Sequence, residues 1–222
     1  MAINNRKGRK HKRNEGTKEA QPANYLIVTE GTETEVNYFE NISRIIEERF
    51  RSSIIVEKID IKVEGTARST RVLVNEAIKK RSLKTYSEVW VVFDKDDNKD
   101  FDEAITLAKK EGLNVAWSNE SFELWLLLHF QDLKSAIHRD GYTTILNTHF
   151  KNKNINNGNK YDKNIYNIFD ITSPYVEIAI KRSNSLLEDH RCDKIFSPEK
   201  MNPATTVQDL VEELIKYINI SK

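Results

Sequence analysis

Two periodicities alternate along the first part of the chain. Short runs of β-branched and aromatic residues are each followed by a longer stretch with apolar residues every three or four positions. Tyr25-Leu-Ile-Val28 is the first short run, and Thr29-Glu30-Gly31 breaks it. From Thr32 to Phe50, Val36, Phe39, Ile42, Ile45 and Ile46 recur at helical spacing and predict one buried helix face. Thr32 is placed as the N-cap of this helix, with Glu35 as its capping-box partner and Glu33 as a first-turn charge, either on the surface or reaching toward a metal at the strand end. Ile54 to Val63 alternates apolar and polar residues and predicts a second strand ended by Gly65-Thr66. Ser69 to Leu83 predicts a helix with Val72, Leu73, Ala77 and Ile78 turned inward. Glu88 to Phe93 predicts a strand apolar on both faces, as a central parallel strand must be. Phe101 to Glu111 predicts a helix with Gly112 as its C-cap, and Leu113 to Trp117 a fourth strand. Ser118-Asn119 is then expected to open a helix running to Phe130. Regular alternation over 25–130 predicts a parallel sheet with flanking helices.

The pattern changes near Gln131. Thr143–Phe150 and Asn164–Phe169 are expected as short helices. Residues 151–164 are rich in Asn, Lys and Gly and read as a long mobile loop. A helix is predicted from Ser173, with Pro174 at its first position, to about Arg191. Another starts at Pro203 or Ala204, with Val207, Leu210, Val211, Leu214 and Ile218 on one face. The expected organisation is an arm over residues 1–24, a sheet-containing core over 25–132, and a helical extension over 133–222 packed on that core.

Composition adds class and compartment. The chain has 222 residues, 38% hydrophobic and 31% charged, enough for one large domain. No apolar run approaches the roughly 20 residues of a membrane span, and the N-terminus lacks the apolar segment of a signal peptide. Cys192 is the one cysteine, which rules out an internal disulfide and a cysteine-based zinc site. The expectation is a cytoplasmic protein with no membrane partner. The net charge of +1 hides an asymmetry: residues 1–24 carry +5 and the remainder −4. Arg6, Lys7, Arg9, Lys10, Lys12 and Arg13 in the arm are candidates for phosphate contacts with nucleic acid, against the plainer reading of a solvated terminus. Arg68, Arg71, Lys160 and Lys163 carry the same two readings.

The candidate chemistry sits at strand ends. Glu30 follows the first strand, and Asp94-Lys95-Asp96-Asp97 follows the third. Open α/β sheets place ligands at the carboxyl ends of their strands. Hard divalent cations take oxygen ligands, magnesium commonly through one or two carboxylates plus water and phosphate oxygens. Glu30, Asp94 and Asp96 are therefore candidate ligands for a divalent metal such as Mg2+, with Asp97 in support. Glu123 is a further candidate, because it is a carboxylate within an otherwise apolar helix. Glu120 is assigned to the helix N-terminus. Phe122, Trp125 and His129 share a face best explained by core packing, with His129 also considered as a proton shuttle. No phosphate loop of the GxxxxGKS type is present.

Glu30-Gly31 followed by Asp94-x-Asp96 resembles the Toprim pattern of topoisomerases, primases and related nucleases. The chain as a whole resembles the RloB-like family of bacterial defence-associated proteins. The runs that carry this likeness are the basic arm, Val28-Thr-Glu-Gly-Thr-Glu-Thr-Glu35 with Tyr38-Phe39, and Val92-Phe-Asp-Lys-Asp96. Ser118-Asn-Glu-Ser-Phe-Glu-Leu-Trp-Leu-Leu-Leu-His-Phe130 and Asn202-Pro-Ala-Thr-Thr-Val207 extend it. The resemblance implies a Toprim-like (Rossmann-like) α/β fold and Mg2+- or Mn2+-dependent phosphodiester cleavage. It implies Asp94 and Asp96 as metal ligands and Glu30 as a ligand or general acid/base. It also implies RNA, tRNA included, or DNA as substrate, and an AAA or ABC-type ATPase as partner. Homo-oligomerisation is left open. Two other classes compete: an adaptor or sensor that binds nucleic acid or the ATPase without cleaving, and a primase-like nucleotidyl transferase.

Overall fold

The computed structural model describes residues 24–31, 33–50, 54–58 and 70–219. The basic arm, the expected N-cap Thr32, the end of the second predicted strand with Gly65-Thr66, and Arg68 lie outside the described residues.

Tyr25–Thr29 (β1) is buried along its whole length and sits between Ile54–Lys58 (β2) and Glu88–Asp94 (β3). Asn114–Ser118 (β4) completes a four-stranded sheet of order β2-β1-β3-β4, with every neighbouring pair parallel. This is the helix-flanked parallel sheet expected of a Rossmann-like or Toprim-like α/β protein. Alternation along the strands splits the core in two. Tyr25, Ile27, Trp90, Val92 and Ala116 face a layer that includes Thr34–Phe50 (α1). Leu26, Val28, Val89, Val91, Phe93 and Trp117 face Thr70–Leu83 (α2) and Phe101–Lys110 (α3).

Two helices depart from expectation in instructive ways. In α2, Thr70, Leu73, Val74 and Ala77 are buried while Val72 is 43% exposed. Only one set at three-and-four spacing can face the sheet, and the set containing Val74 takes that place. The helix expected from Ser118 to Phe130 shrinks to Glu123–Leu128 (α4), all six residues of which are buried. Glu120 has φ +73°, in the left-handed region, so the helix cannot begin before it. Gly112, at φ +71°, closes α3 as expected, its N–H donating to the Lys109 carbonyl at 3.1 Å.

The remaining helices are Arg139–Asn152 (α5), Ile168–Thr172 (α6), Val176–Cys192 (α7) and Val207–Asn219 (α8). α5 is longer than expected and buries Tyr142, Leu146 and Phe150, spaced four apart. The segment expected as a long loop over 151–164 holds the end of α5, a 3-10 turn at Ile155–Gly158 and the buried Tyr161. Ser173 does not cap α7: its hydroxyl donates to the Asp170 carbonyl, and Ser173–Tyr175 forms a 3-10 turn before the helix. α8 starts at Val207 rather than 203 or 204, because the preceding residues close the edge of β4. Thr206 N–H donates to the Trp117 carbonyl at 2.8 Å, Asn119 N–H to the Ala204 carbonyl at 2.8 Å, and Thr205 bridges Ser118 antiparallel. An otherwise open sheet edge is thereby covered. Val207, Leu210, Val211 and Leu214 of α8 join the same core layer as α1 and the sheet. Among the described residues no helix is long and apolar enough to cross a membrane.

Candidate active site

The strand order reverses direction at β1. The chain leaves β1 toward β2 on one side, and β3 and β4 are added on the other. Such a switch point opens a crevice beyond the strands' carboxyl ends, because the two connections diverge. Glu30, the first residue past β1, donates its N–H to the Val92 carbonyl at 2.9 Å, which fixes it beside the end of β3. Asp94, the last residue of β3, pairs with Ser118 at the end of β4. A cavity of about 970 Å³ lies there, walled by the end of β1, the start of α1, the β3–α3 turn, the β4–α4 link and the start of α5.

Its carboxylates are individually positioned. Asp94 Oδ2 accepts the Phe122 N–H at 2.9 Å, just ahead of α4. Burial, then the nearby charges of Glu35, Glu123 and Glu30, raise its pKa well above the usual carboxylate range. Glu35 projects from the first turn of α1 into the same space, and its pKa is raised to about 7 by burial and by the charge of Glu123. A Cβ at residue 31 would overlap the Glu35 carboxyl, so a side chain there would push that carboxyl out of its place. Glu123, 4% exposed, accepts a hydrogen bond from the Tyr161 hydroxyl at 3.1 Å and pairs with Lys163 at 3.5 Å. The Thr34 and Tyr161 hydroxyl oxygens are 3.0 Å apart; Tyr161 gives its proton to Glu123, so Thr34 donates to Tyr161. Asn98 Nδ2 donates to Glu30 Oε1 at 3.4 Å and to the Asp94 carbonyl at 3.3 Å, while its buried Oδ1 has no hydrogen-bond partner. Asp96, in the left-handed region at φ +40°, is held by Arg139 of α5, whose second nitrogen lies 3.5 Å from Asp97.

Residues 25–214 match the RloB-like protein family. The chain belongs to that family. No curated protein matches it. In this RloB-like protein the matched span begins with β1 and ends within α8, so it contains the whole cleft and leaves the basic arm outside.

The structure brings Glu30, Asp94, Asp96, Asp97 and Glu123 to one cleft. Glu120 lines it too, ahead of α4 rather than in its first turn, and accepts a hydrogen bond from Asn202 at 3.2 Å. His129 lies elsewhere. It is 1% exposed, packs edge-on to Trp125 at 4.8 Å between ring centroids, and shares Nδ1 with the Trp125 carbonyl at 2.9 Å. Burial lowers its pKa to about 4, so it is a neutral core residue at physiological pH. Arg71 pairs with Glu103 at 3.3 Å, among residues packed beyond the cleft. Arg6, Lys7, Arg9, Lys10, Lys12 and Arg13 lie outside the described residues.

Sequence reasoning misplaced Glu35 and missed Arg139, Asn98, Thr34 and Tyr161. The signal for Glu35 was present: it stands four residues before Phe39 and seven before Ile42, on the buried stripe of α1. A carboxylate on that stripe requires a site. Arg139 carried no signal, since it meets Asp96 across 43 residues of chain.

The donor set consists of oxygens, which suits a hard divalent ion. The partnerless Asn98 Oδ1, and the burial of Asp94 and Glu35 beside one another's charges, leave oxygens that a cation could engage. Among the described residues no three acidic, histidine or cysteine side chains form a preformed metal-holding group. A magnesium-type ion held by one or two carboxylates and water needs none.

Proposed function

We propose that this cleft is the active site of a metal-dependent nuclease that hydrolyses phosphodiester bonds in RNA, tRNA included, or in DNA. We place it in a cytoplasmic bacterial anti-phage system, alongside an AAA or ABC-type ATPase. The observation that carries the reading is the convergence of Glu30, Glu35, Asp94 and Glu123, from three separate stretches of chain, at the carboxyl edge of the sheet. Nine carboxylates line the cleft against Lys99, Arg139 and Lys163. A phosphate backbone entering such a field is repelled unless a cation accompanies it.

Glu30 and Asp94, with Asp96 beside them, would hold Mg2+ or Mn2+. When bound, the ion supplies charge to a phosphoryl oxygen and lowers the pKa of a water. Glu35, titrating near neutrality, takes or returns a proton as general acid/base. Asn98 orients Glu30, and Tyr161 with Thr34 orients Glu123. The basic arm holds the substrate backbone without sequence preference. Labelled tRNA, single-stranded RNA and duplex DNA, incubated with and without Mg2+ or Mn2+, test the reading. Cutting that requires metal and intact Asp94 supports it, and no cutting with an ATPase partner added defeats it.

One observation favours a second reading. Asp96 and Glu123 are each engaged by a cation, Arg139 and Lys163, and no closed ligand group exists among the described residues. A non-cleaving adaptor or sensor on this fold would look the same. Salt-sensitive RNA binding without metal-dependent cutting would establish it.

A further inference from the structure

Arg139 and Lys163 both come from the helical C-terminal part, and both reach into the cleft formed at the sheet edge. Each meets a carboxylate: Arg139 holds Asp96, and Lys163 lies 3.5 Å from Glu123. The backbones behind them are fixed. Arg139 opens α5, whose Tyr142 is buried one turn on. The Lys163 carbonyl accepts from Asn37 of α1 at 3.1 Å, and Tyr161 is anchored two residues earlier. The charged ends remain accessible, with side-chain exposures of 38% for Arg139 and 58% for Lys163. The carboxylates they meet are mostly buried, at 17% for Asp96 and 6% for Glu123, so either cation can leave only when another positive charge takes its place. An arginine fork and a lysine point charge are also the two side chains best suited to phosphate oxygens.

We propose that Arg139 and Lys163 form a two-cation phosphate clamp, each held on a carboxylate in the free protein and handed to the substrate backbone on binding. The inference rests on the metal-dependent reading above and assigns to the C-terminal part the recognition of the scissile region. It makes the two pairs placeholders: they neutralise Asp96 and Glu123 until those oxygens are needed for a divalent ion. Removing either cation must therefore act in opposite directions on the two ligands.

The test uses the full chain and the variants Arg139→Gln and Lys163→Gln, with Arg139→Lys as a charge-preserving control and Lys134→Gln as a control outside the cleft. Mn2+ binding without nucleic acid is measured by titration calorimetry. Binding of a fluorescein-labelled single-stranded RNA, with Ca2+ as the only divalent ion, is measured by anisotropy over a salt series. The clamp predicts that both glutamine variants bind Mn2+ several-fold tighter and RNA several-fold more weakly. The magnitude of the log–log salt slope should fall by about 0.7 per lost contact. Arg139→Lys should recover part of the RNA affinity, and Lys134→Gln should match wild type. RNA affinity and slope unchanged in both variants would overturn the clamp. RNA binding weakened with Mn2+ affinity unchanged or reduced would overturn the exchange. Failure of the nuclease reading is separately visible, as intact opposite-sign shifts in a protein that never cuts.

Discussion

Glu35 carries an acid that titrates near pH 7 inside a buried cluster. Its folded pKa lies above the ordinary value of 4.5, so its contribution to stability is complete below that value and is lost as pH rises through about 7. Asp94 acts in the same direction. In EDTA, urea unfolding should show wild type losing roughly 2 kcal/mol more than Glu35→Gln between about pH 5 and pH 8. Equal pH dependence of the two proteins would remove Glu35 from the cluster. His129 has the opposite sign: its lowered pKa makes it destabilising below about 6.5, which is why the comparison is made between variants. Gly31 belongs to the same contact. Gly31→Ala should destabilise by about 1 kcal/mol, the low end for overpacking, because the Glu35 carboxyl can swing aside. Most of that loss should disappear in a Glu35→Ala background, as measured by a double-mutant cycle. At this scale the sequence was half legible. A carboxylate at a strand end announces itself, whereas Glu35 also satisfied a capping pattern that concealed its place on the buried stripe.

At the scale of elements, the short α4 and the Tyr161 segment hold the cleft in shape. α4 receives Asp94 at its start, through the Phe122 N–H, and Arg182 at its end, which donates to the Leu128 carbonyl at 2.7 Å. Its apolar sequence is buried on every side, so periodicity could not locate its first residue, and the left-handed Glu120 was invisible. The Tyr161 segment read as polar and loose because its one anchoring side chain finds its partners 127 and 38 residues away. Tyr161→Phe should lower stability by about 1–2 kcal/mol, because it strands buried Glu123 and Thr34 oxygens. Tyr142→Phe is the counterpart. The Tyr142 hydroxyl is buried without a hydrogen-bond partner, so its removal should cost no stability. Thermal melts of the two variants side by side separate these outcomes.

At the scale of the whole molecule, one core layer runs from Tyr25 in the first strand to Ile215 in the last helix. The sheet edge built by residues 25–130 is closed by Thr205 and Thr206, and its cleft is completed by Arg139 and Lys163. A chain truncated after residue 132 should therefore fail to fold cooperatively, seen as loss of a thermal transition by circular dichroism. A sharp transition would show that the C-terminal helices are dispensable to the core. The alternation of strands and helices made the sheet readable in advance, because β1 and β3 are buried apolar runs and α1 and α3 each carry an apolar stripe. The docking of the C-terminal part was not readable, since it depends on pairings between residues more than 80 apart.

The central claim is that the acidic cleft cuts phosphodiester bonds with a divalent ion. The most direct measurement is cleavage of labelled tRNA, single-stranded RNA and duplex DNA by wild type, Asp94→Ala and Asp94→Asn, in Mg2+, Mn2+ and EDTA. Melting curves are recorded in parallel. Asp94→Asn keeps an oxygen for the Phe122 N–H and removes a buried acid, so it should stay folded. The account predicts metal-dependent cutting of at least one substrate by wild type and its loss in both folded variants. Cutting that persists in folded Asp94→Asn, or that ignores EDTA, would contradict it.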